Sequence, residues 1–219
     1  MNEDSSLSAD NKAKTSIGHK KNRRKSVASD FLLVGQPNVG KSVLFSRITG
    51  VRTISSNYPG TTVSYAFGKM RYRNNTYTIV DAPGTYSLEP TDEAGRVTAD
   101  LIEETRAVIS VVDATHLERH LPLTLELFTK KKPTMVVLNM MDEARARGVS
   151  IDIPKLEVAL GVPVVSGVAR SGEGGYELLQ RSMHLPVPKE QQFDRDQLWT
   201  RVGRIVAEVQ SIEHHHPSP

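Results

Sequence analysis

The chain has 219 residues, of which 38% are hydrophobic and 5% aromatic, enough for one domain of ordinary size with tails and a Val/Ile/Leu-rich core. It contains no cysteine, which excludes disulfides and thiolate metal sites and fits a reducing compartment. No apolar run reaches the about 18 residues of a membrane-spanning helix, and the N-terminus lacks the apolar core of a secretory signal. The net charge of +3 is local: residues 1–30 hold seven basic and four acidic residues, and the remainder is neutral.

Residues 1–30 are rich in Ser, Asn and Lys and nearly free of apolar side chains, which predicts a disordered arm. Its basic run, Lys20-Lys21-Asn22-Arg23-Arg24-Lys25, could touch anionic lipid or RNA; a solvated arm is the simpler reading. Phe31-Leu32-Leu33-Val34 predicts the first strand, over 31–35. Gly35-Gln36-Pro37-Asn38-Val39-Gly40-Lys41-Ser42 follows with the spacing G-x-x-x-x-G-K-[ST], and Val43-Leu44-Phe45-Ser46-Arg47-Ile48 continues a helix over 41–49. Strand, glycine-rich loop and helix in this order suit a polyphosphate. Backbone N–H groups can curl round the β-phosphate, glycines permit close approach, and the helix start adds its positive end. Lys41 can bridge the β- and γ-phosphates and the Ser42 hydroxyl can ligate Mg2+. The bland alternative is a chance Gly-rich turn.

Residues 50–62 carry Gly, Pro, Thr and Asn instead of apolar periodicity. Thr61 and Thr62 suit either a strand edge or a threonine that closes on Mg2+ and a γ-phosphate. Strands are predicted over 63–70 and 76–81. The second runs into Asp81-Ala82-Pro83-Gly84, where the Asp can hold Mg2+ through water and Gly84 leaves its N–H free for a γ-phosphate; a plain Pro-Gly turn is the alternative. Residues 84–98 form a second segment whose order should depend on that phosphate. A helix over 92–105, a strand over 107–113, a helix over 116–130 and a strand over 134–139 follow. The last strand ends in Asn139-Met140-Met141-Asp142. A carboxylate there can accept from N1–H and the exocyclic amine of guanine, which adenine cannot match. N-x-x-D alone is often only a helix cap. Helices over 142–147, 153–160 and 174–182 and a strand over 162–166 complete an alternating α/β pattern.

Three such motifs in this order, each ending an apolar strand, resemble the translation-factor class of P-loop GTPases. Their wording is more specific. Gly35 to Ser42, then Asn57-Tyr58-Pro59-Gly60-Thr61-Thr62-Val63, then Asp81-Ala82-Pro83-Gly84-Thr85-Tyr86-Ser87-Leu88, then Leu138-Asn139-Met140-Met141-Asp142 are similar to the N-terminal GTPase domain of the ferrous iron transport protein B (FeoB) family. Gly161-Val162-Pro163-Val164-Val165 and Ser171-Gly172-Glu173-Gly174 extend the likeness over about residues 31 to 185.

The resemblance implies a three-layer P-loop GTPase fold, a mostly parallel six-stranded sheet with helices on both faces. It implies GTP hydrolysis to GDP with Mg2+, coupled to or regulating Fe2+ uptake by a membrane-embedded domain, at the cytoplasmic face of the inner membrane. Nucleotide contacts are expected from residues 35–43 (Gly35, Gln36, Pro37, Asn38, Val39, Gly40, Lys41, Ser42 and Val43), from Gly60, Thr61 and Thr62, and from Asp81, Ala82, Pro83 and Gly84. The base falls to Asn139, Met140, Met141 and Asp142, and to a last loop at Val168, Ala169 and Arg170, where the usual Ser-Ala pair is not cleanly present. Ser42 and Thr62 would ligate Mg2+, with Asp81 acting through water. The N–H groups near Thr61 and Gly84 would position the attacking water, since Thr85 stands where Ras-like proteins place a Gln. Some relatives hold K+ partly through an Asn at the position of Asn38; the alternative is an Asn that braces the loop. Gln36, where relatives commonly carry Asn, is expected to face solvent.

After Pro186 and Pro188 the GTPase domain is expected to end. Leu198, Val202, Ile205, Val209 and Ile212 recur at steps of four, three, four and three, one face of a helix of about four turns within the segment 193–212. It reads as the remnant of a helical spacer whose apolar face packs back on the domain or on a partner, with Trp199 packing beside it. His214-His215-His216 lacks a fourth ligand and reads as a tail before it reads as a metal site. Other function classes are a ribosome-assembly GTPase, which would normally carry N-K-x-D and an added RNA-binding domain, and a non-hydrolysing nucleotide-binding adaptor. Self-association is left open.

Overall fold

A computed structural model describes residues 28–50, 55–89, 92–189 and 194–212. The basic run at 20–25, His214–His216 and residues 51–54 of the segment expected to respond to a phosphate lie outside them. In chain order the elements are β1 (Ser29–Val34), α1 (Lys41–Thr49), β2 (Ser55–Asn57), β3 (Ser64–Tyr72), β4 (Asn75–Asp81), α2 (Glu93–Glu104) and β5 (Thr105–Asp113). A short 3-10 turn (Ala114–His116) leads into α3 (Leu117–Phe128), then β6 (Thr134–Asn139), α4 (Met141–Ala146), β7 (Val149–Ile151), α5 (Ile153–Leu160), β8 (Val164–Ser166), α6 (Gly175–Arg181), α7 (Arg195–Val209) and β9 (Gln210–Ile212).

The central sheet runs β2-β3-β4-β1-β5-β6-β8. β4, β1, β5, β6 and β8 are parallel, and β3 and β2 are antiparallel at one edge. Six strands are expected from the sequence; the sheet has seven, because Ser55–Asn57 pairs with Ser64–Ala66 at that edge. A strand this short carries no alternation to read.

The inner strands carry long apolar runs because both faces are covered. Phe31 and Leu33 of β1, Ile109 and Val111 of β5 and Met135 and Val137 of β6 join Leu44, Phe45 and Leu178 from α1 and α6. Leu32, Val34 and Val108 face the other way, against Val97 and Leu101 of α2 and Leu123 and Leu127 of α3. Farther along that face, Val136 and Leu138 pack with Leu121 and Leu125 of α3, Leu156 of α5, and Val202, Ile205 and Val209 of α7. The buried hydroxyls between β5 and α3 satisfy each other, Ser110 Oγ to Thr124 Oγ1 at 2.9 Å.

The segment beyond residue 185 is knit into this arrangement. The Thr134 N–H donates to the Pro186 carbonyl at 3.0 Å. Asp194 and Gln197 close a capping box that starts α7. Where the periodicity extends one helix to 212, the chain instead leaves the helix at Val209, and Gln210–Ile212 pairs antiparallel with Val149–Ile151. Trp199, one position off the stripe, is 48% exposed. No helix among the described residues is long and apolar enough to cross a membrane.

His120, in the first turn of α3, is 7% exposed. Burial lowers its pKa to about 4, with Asp113 opposing and Arg119 and His116 reinforcing the shift. It is therefore neutral in the folded chain at pH values where an unfolded histidine, with a pKa of about 6.5, is already charged.

Ile205→Ala should lower the unfolding free energy by about 2–4 kcal/mol in urea titration, and α7 should melt with the sheet, not ahead of it. Below about pH 6.5 the unfolded chain gains a proton at His120 that the folded chain does not, so the melting temperature should fall on acidification toward about pH 4. His120→Gln should remove that part of the fall.

Candidate functional site

The parallel strands all end at one rim, and their outgoing loops meet there, as open α/β sheets arrange ligand sites. The loop from Gly35 to Ser42 leaves β1 and winds into α1. Its shape depends on small residues at two points. A Cβ on Gly35 would lie 2.6 Å from the Val111 carbonyl, and one on Gly40, at φ +80°, would lie 2.2 Å from Asn139 Nδ2. Asn38 also sits in the left-handed region, at φ 67°, which Asn tolerates better than most residues, and its side chain is exposed.

Lys41 and Asp81 are 7% and 5% exposed. The Lys41 ammonium donates to Asp81 Oδ1 and to the Ala82 carbonyl, and the Ser42 hydroxyl donates to Asp81 Oδ2 at 2.7 Å. The end of β1 and the end of β4 are thus joined through one carboxylate. Gly84 lies directly against Pro37, whose backbone N and Cα would be 3.1 Å from any added Cβ. Gln36, Pro37, Asn38, Gly40, Lys41, Ser42, Val43 and Gly84 line a cleft of about 440 Å3. Ser42 lines the cleft and Asp81 lies behind it on the same hydrogen bond, hard oxygen donors that fit Mg2+ held by a hydroxyl and phosphate oxygens with the carboxylate acting through water.

Gln36 does not face solvent. It is 5% exposed, and its Nε2 donates to the Arg119 carbonyl of α3 at 2.8 Å. The loop turns this side chain inward, where a polar residue reads as exposed by default.

Asn139 joins the phosphate loop to the last loop. Its Nδ2 donates to the Val39 carbonyl at 2.8 Å, and its Oδ1 accepts from the Ala169 N–H at 2.8 Å. Met140 follows at φ 61°, and a Cβ on Gly40 would lie 3.7 Å from its terminal methyl. Met141 is buried, while Asp142, in the first turn of α4, is exposed and its carboxylate makes no hydrogen bond among the described residues. Val168 and Ala169 are buried and Arg170 is exposed.

Sequence reasoning missed what fastens that last loop. Arg47, in the last turn of α1, donates to the Arg170 carbonyl at 2.6 Å, and its guanidinium lies against Gly172. Arg145 pairs with Glu173 at 2.8 Å from the other side. Nothing local marks Arg47, since its partner is 123 residues away.

The structure does not bring every expected residue to the cleft. The Thr61 hydroxyl donates to the Tyr58 carbonyl at 3.0 Å, next to Gly60 at φ 79°. The Thr62 hydroxyl donates to Glu93 Oε2 at 3.2 Å, bridging the segments 50–62 and 84–98.

Comparison with known proteins agrees with this geometry. The family model "Ferrous iron transport protein B" matches residues 29–182. The Fe(2+) transporter FeoB of Legionella pneumophila (strain Lens) is 42% identical over 161 residues, covering 70% of this chain and 21% of the relative. The chain thus spans about a fifth of the length of such relatives. The cytosolic domain of L. pneumophila FeoB superposes with a TM-score of 0.78 at 28% identity, covering 83% of this chain and 99% of the other. The S. thermophilus NFeoB N11A mutant bound to mGDP superposes with a TM-score of 0.67 at 34% identity, covering 75% and 63%. With the motifs at one rim of this sheet and a family match across 29–182, the chain belongs to the ferrous iron transport protein B family, as its N-terminal, P-loop GTPase-type domain.

Proposed function

We propose that this chain binds GTP and GDP with Mg2+ in the cleft beside Lys41, hydrolyses GTP, and thereby acts as the switch of an Fe2+ transporter at the cytoplasmic face of the membrane. The observation that carries this reading is the Lys41–Asp81–Ser42 cluster beside Gly84, tied by the Asn139 amide to a base end that offers the unengaged Asp142 carboxylate. The mGDP held by the S. thermophilus relative supports it. The relatives carry the name Fe(2+) transporter and extend well beyond the matched region, and a membrane-embedded domain in the same or a separate chain is the partner the reading requires.

Lys41 would exchange Asp81 and the Ala82 carbonyl for β- and γ-phosphate oxygens, with the N–H groups from Asn38 to Ser42 around the β-phosphate. Ser42, with Thr62, would hold Mg2+, and Asp81 would act on it through water; the metal supplies charge neutralisation for the transferring phosphoryl group. Thr62 must leave Glu93 to do so, an order change of the kind nucleotide switches use. Gly84 presents its N–H to the γ-phosphate, and the N–H groups near Thr61 and Gly84 position the water. The mechanism therefore rests on positioning and charge, without a side-chain general base. Asn38 offers a side-chain carbonyl oxygen suited to K+ at the same edge. Asp142 accepts from N1–H and the exocyclic amine of guanine, Asn139 meets the base beside Met140 and Met141, and the 168–170 loop closes over it.

Calorimetry should find GTP and GDP bound and ATP much weaker; equal affinity for ATP, or no binding, overturns the proposal. Lys41→Ala should abolish binding. Asp142→Asn should weaken GDP by about 10–100-fold, the loss of hydrogen bonds to a charged acceptor, and move preference toward xanthosine nucleotides. Turnover should be faster in K+ than in Na+, and Asn38→Ala should erase the difference; equal wild-type rates remove the K+ role. Ribosome binding in place of turnover would favour the assembly-factor alternative.

A further inference from the structure

Glu126 is the one charged residue in the last two turns of α3, between Leu125 and Leu127 in a stretch that is otherwise buried. Two effects oppose an anion there. Burial raises its carboxyl above the ordinary range, with the Leu88 N–H and Ser87 hydroxyl opposing the shift. The C-terminal end of a helix also disfavours negative charge. Glu126 Oε2 nevertheless accepts two hydrogen bonds, from Ser87 Oγ at 2.9 Å and from the Leu88 N–H at 2.8 Å. Both donors lie on the loop that begins at Gly84.

That loop continues the connection. The Thr85 hydroxyl donates to the Ser87 carbonyl at 2.7 Å, and the Thr85 N–H donates to the Gly35 carbonyl at 3.3 Å. Next to Gly35, Gln36 returns to α3 through the Arg119 carbonyl. The bonds form a closed ring: phosphate loop, Thr85, Ser87, Glu126, two turns of α3, Arg119, Gln36 and the phosphate loop again. Gly84 sits inside the arc between Gly35 and Ser87, pressed on Pro37. The Arg119 guanidinium, 5.8 Å from the Tyr86 ring, crosses the same arc.

We infer that Glu126 is a positioning residue for GTP turnover: by holding Ser87 and Leu88 against α3 it fixes where Gly84 presents its N–H beside the phosphate loop. The inference rests on the GTPase reading above. Its energetic logic is that a carboxylate in an unfavourable place is retained because two donors on a nucleotide-facing loop need an acceptor. A small displacement of Gly84 changes a rate more than an affinity, because the phosphate loop and Asp142 hold GDP without it.

Glu126→Ala should lower single-turnover GTP hydrolysis by about tenfold or more while the GDP dissociation constant stays within about twofold. Glu126→Gln, whose side-chain carbonyl can accept the same two bonds, should restore turnover to within about threefold. Hydrogen exchange at the Leu88 amide should quicken in Glu126→Ala and return to the wild-type rate in Glu126→Gln. Should Glu126→Ala not fold, Ser87→Ala deletes one of the two bonds and should still slow turnover. Unchanged turnover in whichever of these two variants folds, parallel loss of turnover and GDP affinity, or unchanged exchange at Leu88 would overturn the inference. A wild-type chain that does not bind GDP counts against the GTPase reading instead, and the exchange measurement then still decides whether Glu126 holds the loop.

Discussion

The Asn139 side chain is the point on which the rim of this sheet depends. Its amide meets a carbonyl of the phosphate loop on one side and an N–H of the last loop on the other, and it is 4% exposed. Each such bond contributes only about 1 kcal/mol net, but a buried donor or acceptor left unpaired costs about 1–3 kcal/mol. Losing this side chain would strand both loops at once. It also explains Gly40: any side chain there would occupy the space of the amide. The loop from Gly35 to Ser42 and the loop at Val168 to Arg170 are thus set relative to each other by one residue at the end of β6.

Charge is handled with similar economy. Lys41 and Asp81 are both nearly buried and neutralise one another, with the Ser42 hydroxyl on the second carboxylate oxygen. A buried ion pair in isolation is weak support for a fold. Here it keeps an ammonium and a carboxylate together at the foot of a cleft, where the proposed function would turn Lys41 to phosphate oxygens and leave Asp81 to a magnesium ion, which a pair of apolar residues could not do.

Much of this was legible in the sequence because the motifs carry their own geometry. The Gly-Lys-Ser run, Asp81 to Gly84 and Asn139 to Asp142 each follow a continuous apolar strand, and the strands place them at one rim. The existence of α1 through α6 and of six of the seven sheet strands followed from the same alternation, whereas the order of those strands across the sheet did not. What was not legible has physical reasons. Ser55–Asn57, Val149–Ile151 and Gln210–Ile212 are three-residue strands, too short to show a period. Gln36 looked solvent-facing because polar residues usually are, and only the approach of α3 reveals its partner. Glu126 did leave a trace, a lone carboxylate inside Leu-Pro-Leu-Thr-Leu-Glu-Leu-Phe, but its donors lie 38 and 39 residues away. Thr61 and Thr62 were legible as chemistry, not as position, because their hydroxyls are turned to Tyr58 and Glu93.

The small second sheet has a mechanical consequence. β7 begins three residues after α4 ends, past Gly148 at φ 72°, and β9 is zipped to it with Ile212 opposite Val149. The strand that closes the described chain is therefore coupled by a short, stiff path to the helix that bears Asp142. The connection from β9 through β7 to α4 does not pass through the central sheet.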